Sequence, residues 1–429
     1  MASSRKSLPS PKFAKRIAVA LSGGLDSVVL LDTVCKALAN EKKAEIFAFH
    51  IHHGLQKPAD EWLIFCEKLA RQYHVSFDFR LLHLDKSLGN VEARAREARY
   101  EALADLCDIH DIDDLLLAHH QNDQAETVLL QLLRGSGVAG LSAMADSKSM
   151  QLGNRVITLW RPLIKQSRKE LEAYAAEHRL QWIEDPSNLD RKYRRNAIRK
   201  DVIPRLEKIQ PDAVASLARS AAVLSDAQTL LDRLATIDGA DMLFEKCLKT
   251  KPLLSLAKTD LAAANNVLRY WLRQQRLAMP SQERLDAWWR DLKAVRGDAQ
   301  LEWVHDNQTI CLWRGQLQVV SKASGEWVFK RIGNSSKEPG LPAAFVKQAQ
   351  REGRIAYKVR SGSEKLQIKP NSPRKTLKNL FQESGIAPWE RLAPLLYIDN
   401  ELIAVAGVGV SYPHLVRQGP RVRPMWQQL

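Results

Sequence analysis

Ile17 to Leu21 is a short, wholly apolar run that ends in Ser22-Gly23-Gly24-Leu25-Asp26-Ser27. Apolar residues at helical spacing (Val28, Leu31, Cys35, Leu38) begin directly behind it. A buried strand that turns through two glycines straight into a helix is the opening unit of a layered α/β fold. Glycines let the backbone turn tightly and aim successive N–H groups at an anion, and the helix start adds its positive dipole end. Ser22 and Ser27 each add a hydroxyl. Ser22, Gly23, Gly24, Leu25, Asp26 and Ser27 therefore read as a nest for pyrophosphate. A ligand-free glycine turn is the alternative. The string lacks the lysine of a G-x-x-x-x-G-K-[ST] loop. A lysine-free nest beside a carboxylate suits Mg²⁺-pyrophosphate as a leaving group, with ATP cleaved between its α- and β-phosphates.

The strand–helix alternation continues. Strands are expected at Ile46–Ile51, Val75–Leu84 and Leu115–His119, and helices at Pro58–Tyr73, Val91–Cys107 and Gln124–Arg134. This order predicts a doubly wound parallel sheet, with ligands beyond the C-terminal strand ends. Helical spacing returns at Ala213–Ala235, Asp260–Gln275 and Ser281–Arg296, which predicts a mostly helical middle domain. Beyond about Ser321, short apolar runs such as Ile355–Val359, Leu395–Ile398 and Leu402–Val405 predict a small α+β domain. The expected boundaries are 1–215, 216–330 and 331–429. A chain of 429 residues is long enough for two or three such units.

The net charge of +15, from 64 Lys and Arg against 49 Asp and Glu, favours a polyanionic partner such as nucleic acid. The five cysteines form no C-x-x-C pair, which fits buried thiols in a reducing cytosol and counts against a zinc ribbon or iron–sulfur cluster. Met1 to Lys15 has no apolar core of a signal peptide, and no window approaches ~20 uncharged apolar residues. The expected compartment is the cytoplasm, with no membrane contact.

Further polar strings fall at the expected strand ends and beyond. They are His50-Ile51-His52-His53-Gly54-Leu55, Glu92 to Tyr100 with Arg94, Arg96 and Arg99, and His119-His120-Gln121-Asn122-Asp123-Gln124-Ala125-Glu126-Thr127 leading to Arg134-Gly135-Ser136-Gly137. Trp182-Ile183-Glu184-Asp185-Pro186-Ser187-Asn188 and Arg195-Asn196-Ala197-Ile198-Arg199 follow. Each has a plain reading: hydrogen-bonded loop histidines, a solvated arginine face, a surface charge run around Tyr193. His119, His120, Asp123 and Glu126 also suggest metal ligands, although magnesium would take the oxygens and leave the imidazoles for nucleotide or base.

Ser22–Ser27 carries the signature S-G-G-x-D-S of the PP-loop ATP pyrophosphatases, whose nucleotide domains are adenine-nucleotide α-hydrolase-like. Taken with the later strings, the first ~205 residues resemble the tRNA(Ile)-lysidine synthetase family at that family's spacing. Arg374-Lys375, Leu380-Phe381-Gln382, Trp389-Glu390-Arg391 and Pro394 resemble its C-terminal domain. Asn122 stands where many members carry Asp. The missing cysteine pair counts against a tRNA thiolase, the missing glutaminase segment against a GMP synthetase, and the basic excess is unneeded by an NAD synthetase. A thiolase-like relative and a non-catalytic tRNA-binding module are the alternatives.

The resemblance implies ATP-dependent adenylation of the wobble cytidine of tRNA(Ile) with a CAU anticodon. Attack by L-lysine then forms lysidine, releasing AMP and pyrophosphate. It implies catalytic roles for Asp26, Arg96 (or Arg99), His119, Asp123 and Glu126. Asp26 and Asp123 are the candidates for Mg²⁺, and Arg195, Arg199, Arg374, Lys375 and Arg391 for tRNA. Asp123 and Glu126 lie one helical turn apart and so can face one site. The lysine amine has a pKa near ~10.4, so a carboxylate must bind it and help remove its proton. The sequence leaves the choice of base and the oligomeric state open, a homodimer included.

Overall fold

β1 (Arg16–Ala20) alternates between two apolar layers, which fixes the architecture around it. Ile17, Val19 and Leu21 pack on one side of the sheet with α1 (Leu25–Leu38) and with Cys66, Leu69 and Ala70 of α2 (Ala59–Gln72). Ala18 and Ala20 face the other side with Phe47, Phe49 and Ile51 of β2 (Glu45–His52) and Leu103 and Leu106 of α3 (Val91–Ile109). Burying one such Leu, Ile or Phe contributes about 1.5–3 kcal/mol, so a strand buried on both faces is the anchor of the layers. The computed structural model describes residues 16–41, 44–52, 59–82, 91–152, 155–186, 190–295, 301–320, 325–333 and 336–428. Pro58, His53 to Leu55, Ser187 and Asn188, singled out in the sequence, lie outside them.

The first compact unit is Met1–Leu231. β3 (Ser76–Leu81), β4 (Asp114–Leu116), β5 (Ser147–Leu152) and β6 (Arg155–Trp160) complete a six-stranded sheet in the order β3-β2-β1-β4-β6-β5. All its pairs are parallel except the β5–β6 hairpin at the edge. The doubly wound sheet is as expected; the hairpin was not legible. The strand expected at Leu115–His119 stops at Leu116. α4 (Gln121–Leu132) starts three residues before the expected Gln124, because His120 caps it: its side chain accepts from Asn122 N–H and Asp123 accepts from His120 N–H. After α4 come α5 (Val138–Leu141), α6 (Arg168–Glu177), α7 (Arg194–Ala197), a π-helical turn (Ile198–Val202), α8 (Ile203–Ile209) and α9 (Ala213–Asp238). Ala125, Ile198, Ile203 and Val214 form a small core between α4 and this last group.

The second unit is Asp232–Leu429. Its middle region is helical as expected, with α10 (Thr250–Thr259), α11 (Leu261–Gln274) and α12 (Gln282–Ala294). It also carries an antiparallel sheet of β7 (Cys247–Lys249), β8 (Leu301–His305), β9 (Gln308–Trp313) and β10 (Gln316–Val320), in the order β7-β10-β9-β8. Trp271, Leu268, Trp288, Trp289, Trp303 and Leu317 join helices and sheet in one core. The turns Asp306-Asn307 and Arg314-Gly315 have positive φ at both residues, as two-residue hairpins demand.

The α+β domain follows as expected. Its elements are β11 (Gly325–Ile332), β12 (Leu341–Pro342), α13 (Ala343–Arg351), β13 (Ile355–Lys358), β14 (Lys365–Leu366), β15 (Lys375–Thr376) and α14 (Leu377–Glu383). β16 (Leu395–Ile398), β17 (Glu401–Val405), β18 (Gly409–Val410) and β19 (Arg421–Gln428) complete it. Its sheets are β11-β19-β12, β13-β16-β17-β18 and β14-β15. No helix among the described residues is long and apolar enough to cross a membrane.

Candidate active site

The turn after β1 is built to leave N–H groups free. Gly24 caps α1 with extended backbone and no side-chain cap bond, so the leading amides of α1 point at whatever binds there. Gly23 has φ +84°, a conformation that favours glycine, and a Cβ on it would come within 3.1 Å of Cys66 Sγ, which leaves little room. Ser27 Oγ donates to Gly24 O at 2.9 Å and lies 3.1 Å from Ser22 Oγ. Ile183 N–H donates to Gly23 O at 2.9 Å, which ties the loop to the Trp182–Pro186 segment. His50 Nδ1 lies 2.9 Å from Leu21 O, so it donates there and supports the strand end.

Asp26 follows in the first turn of α1. Arg168 Nη1 donates to both its oxygens, at 2.8 and 2.9 Å. Arg168 opens α6, where Ser167 and Glu170 form a capping box, and its backbone N–H donates to Asn122 Oδ1 at 2.9 Å. Asn122 thus fastens α6 to α4 and needs no charge to do so. His120 Nδ1 accepts from Asn122 N–H, which leaves the ring proton on Nε2. Nε2 lies 3.7 Å from Asp26 Oδ2 and 3.6 Å from Asp123 Oδ2, so one imidazole stands between two carboxylates. Burial raises the Asp26 carboxyl above its ordinary range against the pull of His120 and Arg168. Burial would raise Asp123 too, but His120 and Arg195 beside it outweigh that and hold the carboxyl low.

Glu126 is fully buried. Arg195 Nε donates to it at 2.6 Å and Arg199 Nε at 2.5 Å, while Arg195 Nη2 also reaches Asp123 Oδ1 at 3.1 Å. With both oxygens occupied, Glu126 holds two arginines in place and has no oxygen left over. His119 is half-buried; its Nδ1 has no hydrogen-bond partner. Burial pushes its pKa down to about 3, so the ring is neutral at pH 7.

Ser22, Gly24, His50, His120, Asn122 and Arg168 border a cavity of about 1310 Å³ at the C-terminal ends of β1 and β2, whose lining does not include His119, Asp123 or Arg195. Ala95, Arg99 and Leu103 of α3 line it, four residues apart on one helix face. Arg96, one residue and some 100° away, is exposed and lies over the Tyr100 ring at 5.7 Å. The helix therefore turns Arg99, not Arg96, to the cavity. Arg99 has no ion-pair partner among the described residues, and burial pushes its pKa down. Asp26, Glu126 and Arg199 line the cavity as well.

Of the residues chosen from sequence, the loop, Asp26, Asp123, Glu126, Arg195 and Arg199 come together here. Arg374, Lys375 and Arg391 belong to the second unit. There Arg374 is exposed, Lys375 pairs with Glu383 at 2.7 Å, and Arg391 donates to Ile386 O at 2.7 and 2.9 Å. Among the described residues no group of three or more His, Cys, Asp and Glu is placed to hold a metal. Asp26 and Asp123 both lie near the same imidazole, and their oxygens are held by Arg168, and by Arg195 and the His120 N–H, respectively. Sequence reasoning missed Arg168, whose only local sign is the Ser-x-x-Glu helix start. His120, which caps α4, stands in the same string as His119 but was given no catalytic role.

The chain matches the family models of the PP-loop domain over residues 2–206, the TilS substrate binding domain over 252–318 and the TilS substrate C-terminal domain over 355–423. It is 34% identical to the tRNA(Ile)-lysidine synthase of Nitrosomonas europaea, over 94% of this chain and 90% of that one. It is also 34% identical to the tRNA(Ile)-lysidine synthase of Shigella flexneri, over 97% of each. Among solved structures it resembles the U34-tRNA thiolase NcsA from Methanococcus maripaludis with its 4Fe-4S cluster. That likeness has TM-score 0.45 and 20% identity, over 52% of this chain and 76% of that one.

Proposed function

The chain belongs to the tRNA(Ile)-lysidine synthase family, and from that premise we propose how its cavity carries out the family's ATP-dependent ligation. Membership sets aside the thiolase-like and non-catalytic readings. The buried thiols agree: burial pushes Cys66 and Cys107 up to about 12, far from a reactive thiolate.

In the first step the carbonyl oxygen of the wobble cytosine attacks the α-phosphorus of ATP, and pyrophosphate leaves into the Ser22–Ser27 loop. The α1 amides and the two serine hydroxyls bind it. Arg99, a cation without an acid partner, faces the charge that grows on the α-phosphate. His119, neutral, adds no charge beside Asp123. Asp26 and Asp123 would hold Mg²⁺, which neutralises pyrophosphate as a leaving group.

In the second step the side-chain amine of L-lysine attacks the activated carbon, and the C–O bond to AMP breaks. An ammonium must first lose a proton. Asp26, whose carboxyl is raised, is the better acceptor, and Asp123, held low, stays ionised to bind the ammonium. Glu126 acts through Arg195 and Arg199, whose outward faces receive the anticodon stem-loop. The reading extends to a CAU anticodon, a cytoplasmic setting, a catalytic domain at 1–215 and tRNA-gripping domains at 216–330 and 331–429.

The observation that carries this mechanism is the convergence of Asp26 and Asp123 on His120 Nε2 directly beneath the phosphate loop. The test is mass spectrometry of the wobble cytidine after incubation with ATP, Mg²⁺, lysine and tRNA(Ile). Gain of one lysine less one water, dependent on all four, is expected. A sulfur-for-oxygen mass change, or none, would overturn it.

A further inference from the structure

The C-terminal end of α14 gathers three arginines from distant parts of the second unit. Arg314, in the β9–β10 turn, donates from Nη2 to Gln382 O at 3.4 Å. Arg391 donates to Ile386 O, and its guanidinium lies 5.7 Å from the centre of the Phe381 ring. Arg360, just past β13, lies 5.4 Å from the same ring, and its buried Nε has no hydrogen-bond partner. None of the three forms an ion pair among the described residues. The mutual repulsion is felt: burial, Arg360 and Arg314 together push the Arg391 pKa down.

A helix C-terminus attracts cations, but it offers only about half a negative charge. Two backbone carbonyls against three full charges leave the cluster short of an anion. The fold nonetheless takes trouble to assemble it. Arg314 occupies a left-handed position, φ 49°, in a two-residue turn where Asn is the usual choice. Gly385, at φ +67°, leaves room for it, since a Cβ there would come within 2.9 Å of Arg314 Nη1. Beside the cluster Arg314 lies 4.7 Å over the Trp313 ring, which meets Trp389 edge-on at 6.2 Å. Both indoles are half-buried and so partly open to a ligand. Planar guanidinium groups match phosphate oxygens, and an indole face takes a base.

We propose that Arg314, Arg360 and Arg391 form a receptor for one phosphate of a nucleic-acid backbone, with Trp313 and Trp389 flanking the attached nucleotide. This rests on the tRNA-ligase reading above and adds a grip outside its cavity. It also relocates the grip from the exposed Arg374 and the acid-paired Lys375 to residues without an acid partner among the described residues.

The test uses the full-length protein and two variants. Arg314→Asn suits the turn and removes one charge; Gly385→Ala keeps all three charges but displaces Arg314. tRNA affinity is measured across a potassium chloride series, with Arg374→Asn as control. Both variants are expected to bind tRNA about fivefold more weakly. Arg314→Asn is also expected to flatten the salt slope by roughly one unit, as for one lost phosphate contact. ATP affinity without tRNA should be unchanged. Unchanged tRNA affinity and slope in Arg314→Asn, while the unmodified protein binds tRNA and forms lysidine, overturns the receptor and leaves the enzyme reading intact. Failure of the unmodified protein to bind tRNA overturns the enzyme reading itself. Inorganic phosphate is the second probe: if it raises the melting temperature only when Arg314 is present, yet tRNA binding ignores that residue, the site serves free phosphate and the nucleic-acid assignment falls.

Discussion

Around the phosphate loop the acids meet arginines within the chain: Arg168 sits on Asp26, Arg195 on Asp123 and Glu126, and Arg199 on Glu126, while Arg99 nearby is unpaired among the described residues. At the end of α14 the opposite holds: Arg314 and Arg391 each donate to one carbonyl, Arg360 lies over the Phe381 ring, and none of the three pairs with an acid among the described residues. A site that must bind both an anion and an ammonium profits from internal pairs that keep its shape and fix its charges in place. A site that only grips an anion profits from leaving the cations unanswered, because each pre-formed pair would have to be broken first. The contrast teaches that an arginine's partner, more than its presence, tells which job it does.

The contrast breaks first at Glu126. Glu126→Ala leaves two arginines without their buried acid, and unfolding in denaturant should show a loss of about 3–5 kcal/mol; a loss under ~1 kcal/mol would mean the pairs are not structural. Asp26→Ala comes next. It should slow tRNA-dependent ATP–pyrophosphate exchange by roughly 10²–10³-fold, with tRNA affinity held within a few-fold, since the tRNA phosphates are gripped elsewhere. Unchanged exchange would remove Asp26 from the chemistry.

Gly23→Ala sharpens the comparison on the backbone side. It meets both a left-handed φ and Cys66 Sγ, so a stability loss of about 1–2 kcal/mol and weakened ATP binding are expected by calorimetry. His119 tests an uncompensated group inside the matched region. Its folded pKa, about 3, lies below the unfolded value near ~6.5. Between those values the unfolded chain binds the extra proton, so stability rises with pH and is lost as pH falls from about 6.5 toward 3, at roughly 1.4 kcal/mol per unit. His119→Gln should flatten that limb of the pH–stability curve; an unaltered limb would place the acid lability elsewhere. The smallest effect belongs to thiols outside both charge systems. Replacing Cys35 and Cys247 with Ser should leave lysidine formation within about twofold, and a larger drop would reopen a sulfur chemistry.

Much of the catalytic unit was legible because its information is local. The strand–glycine–helix string fixes a turn, a free helix start and a parallel layer within a dozen residues. Asp123 and Glu126 share a helix face whatever lies around them. Arg96 and Arg99 were not separable, because choosing between them needs the phase of α3 against the sheet. Arg168 was invisible, since its partner Asp26 lies in another helix and only the docking of α6 joins them. The sheet of β7 to β10 escaped although Asp306-Asn307 and Arg314-Gly315 are turn dipeptides, because helical spacing on either side dominated the reading.

The sequence by itself determined the phosphate loop, the α/β order, the basic character and, through strings at family spacing, the tRNA ligase family. Periodicity and short motifs encode these, and they act over one or two turns of chain. Only the tertiary structure decided which charges meet. It set Arg168 on Asp26, closed Glu126 between Arg195 and Arg199, turned Arg99 to the cavity and left Arg314, Arg360 and Arg391 without an acid among the described residues. Coulomb and desolvation energies depend on distances of a few ångströms between segments far apart in the chain, and those distances exist only once the layers have packed.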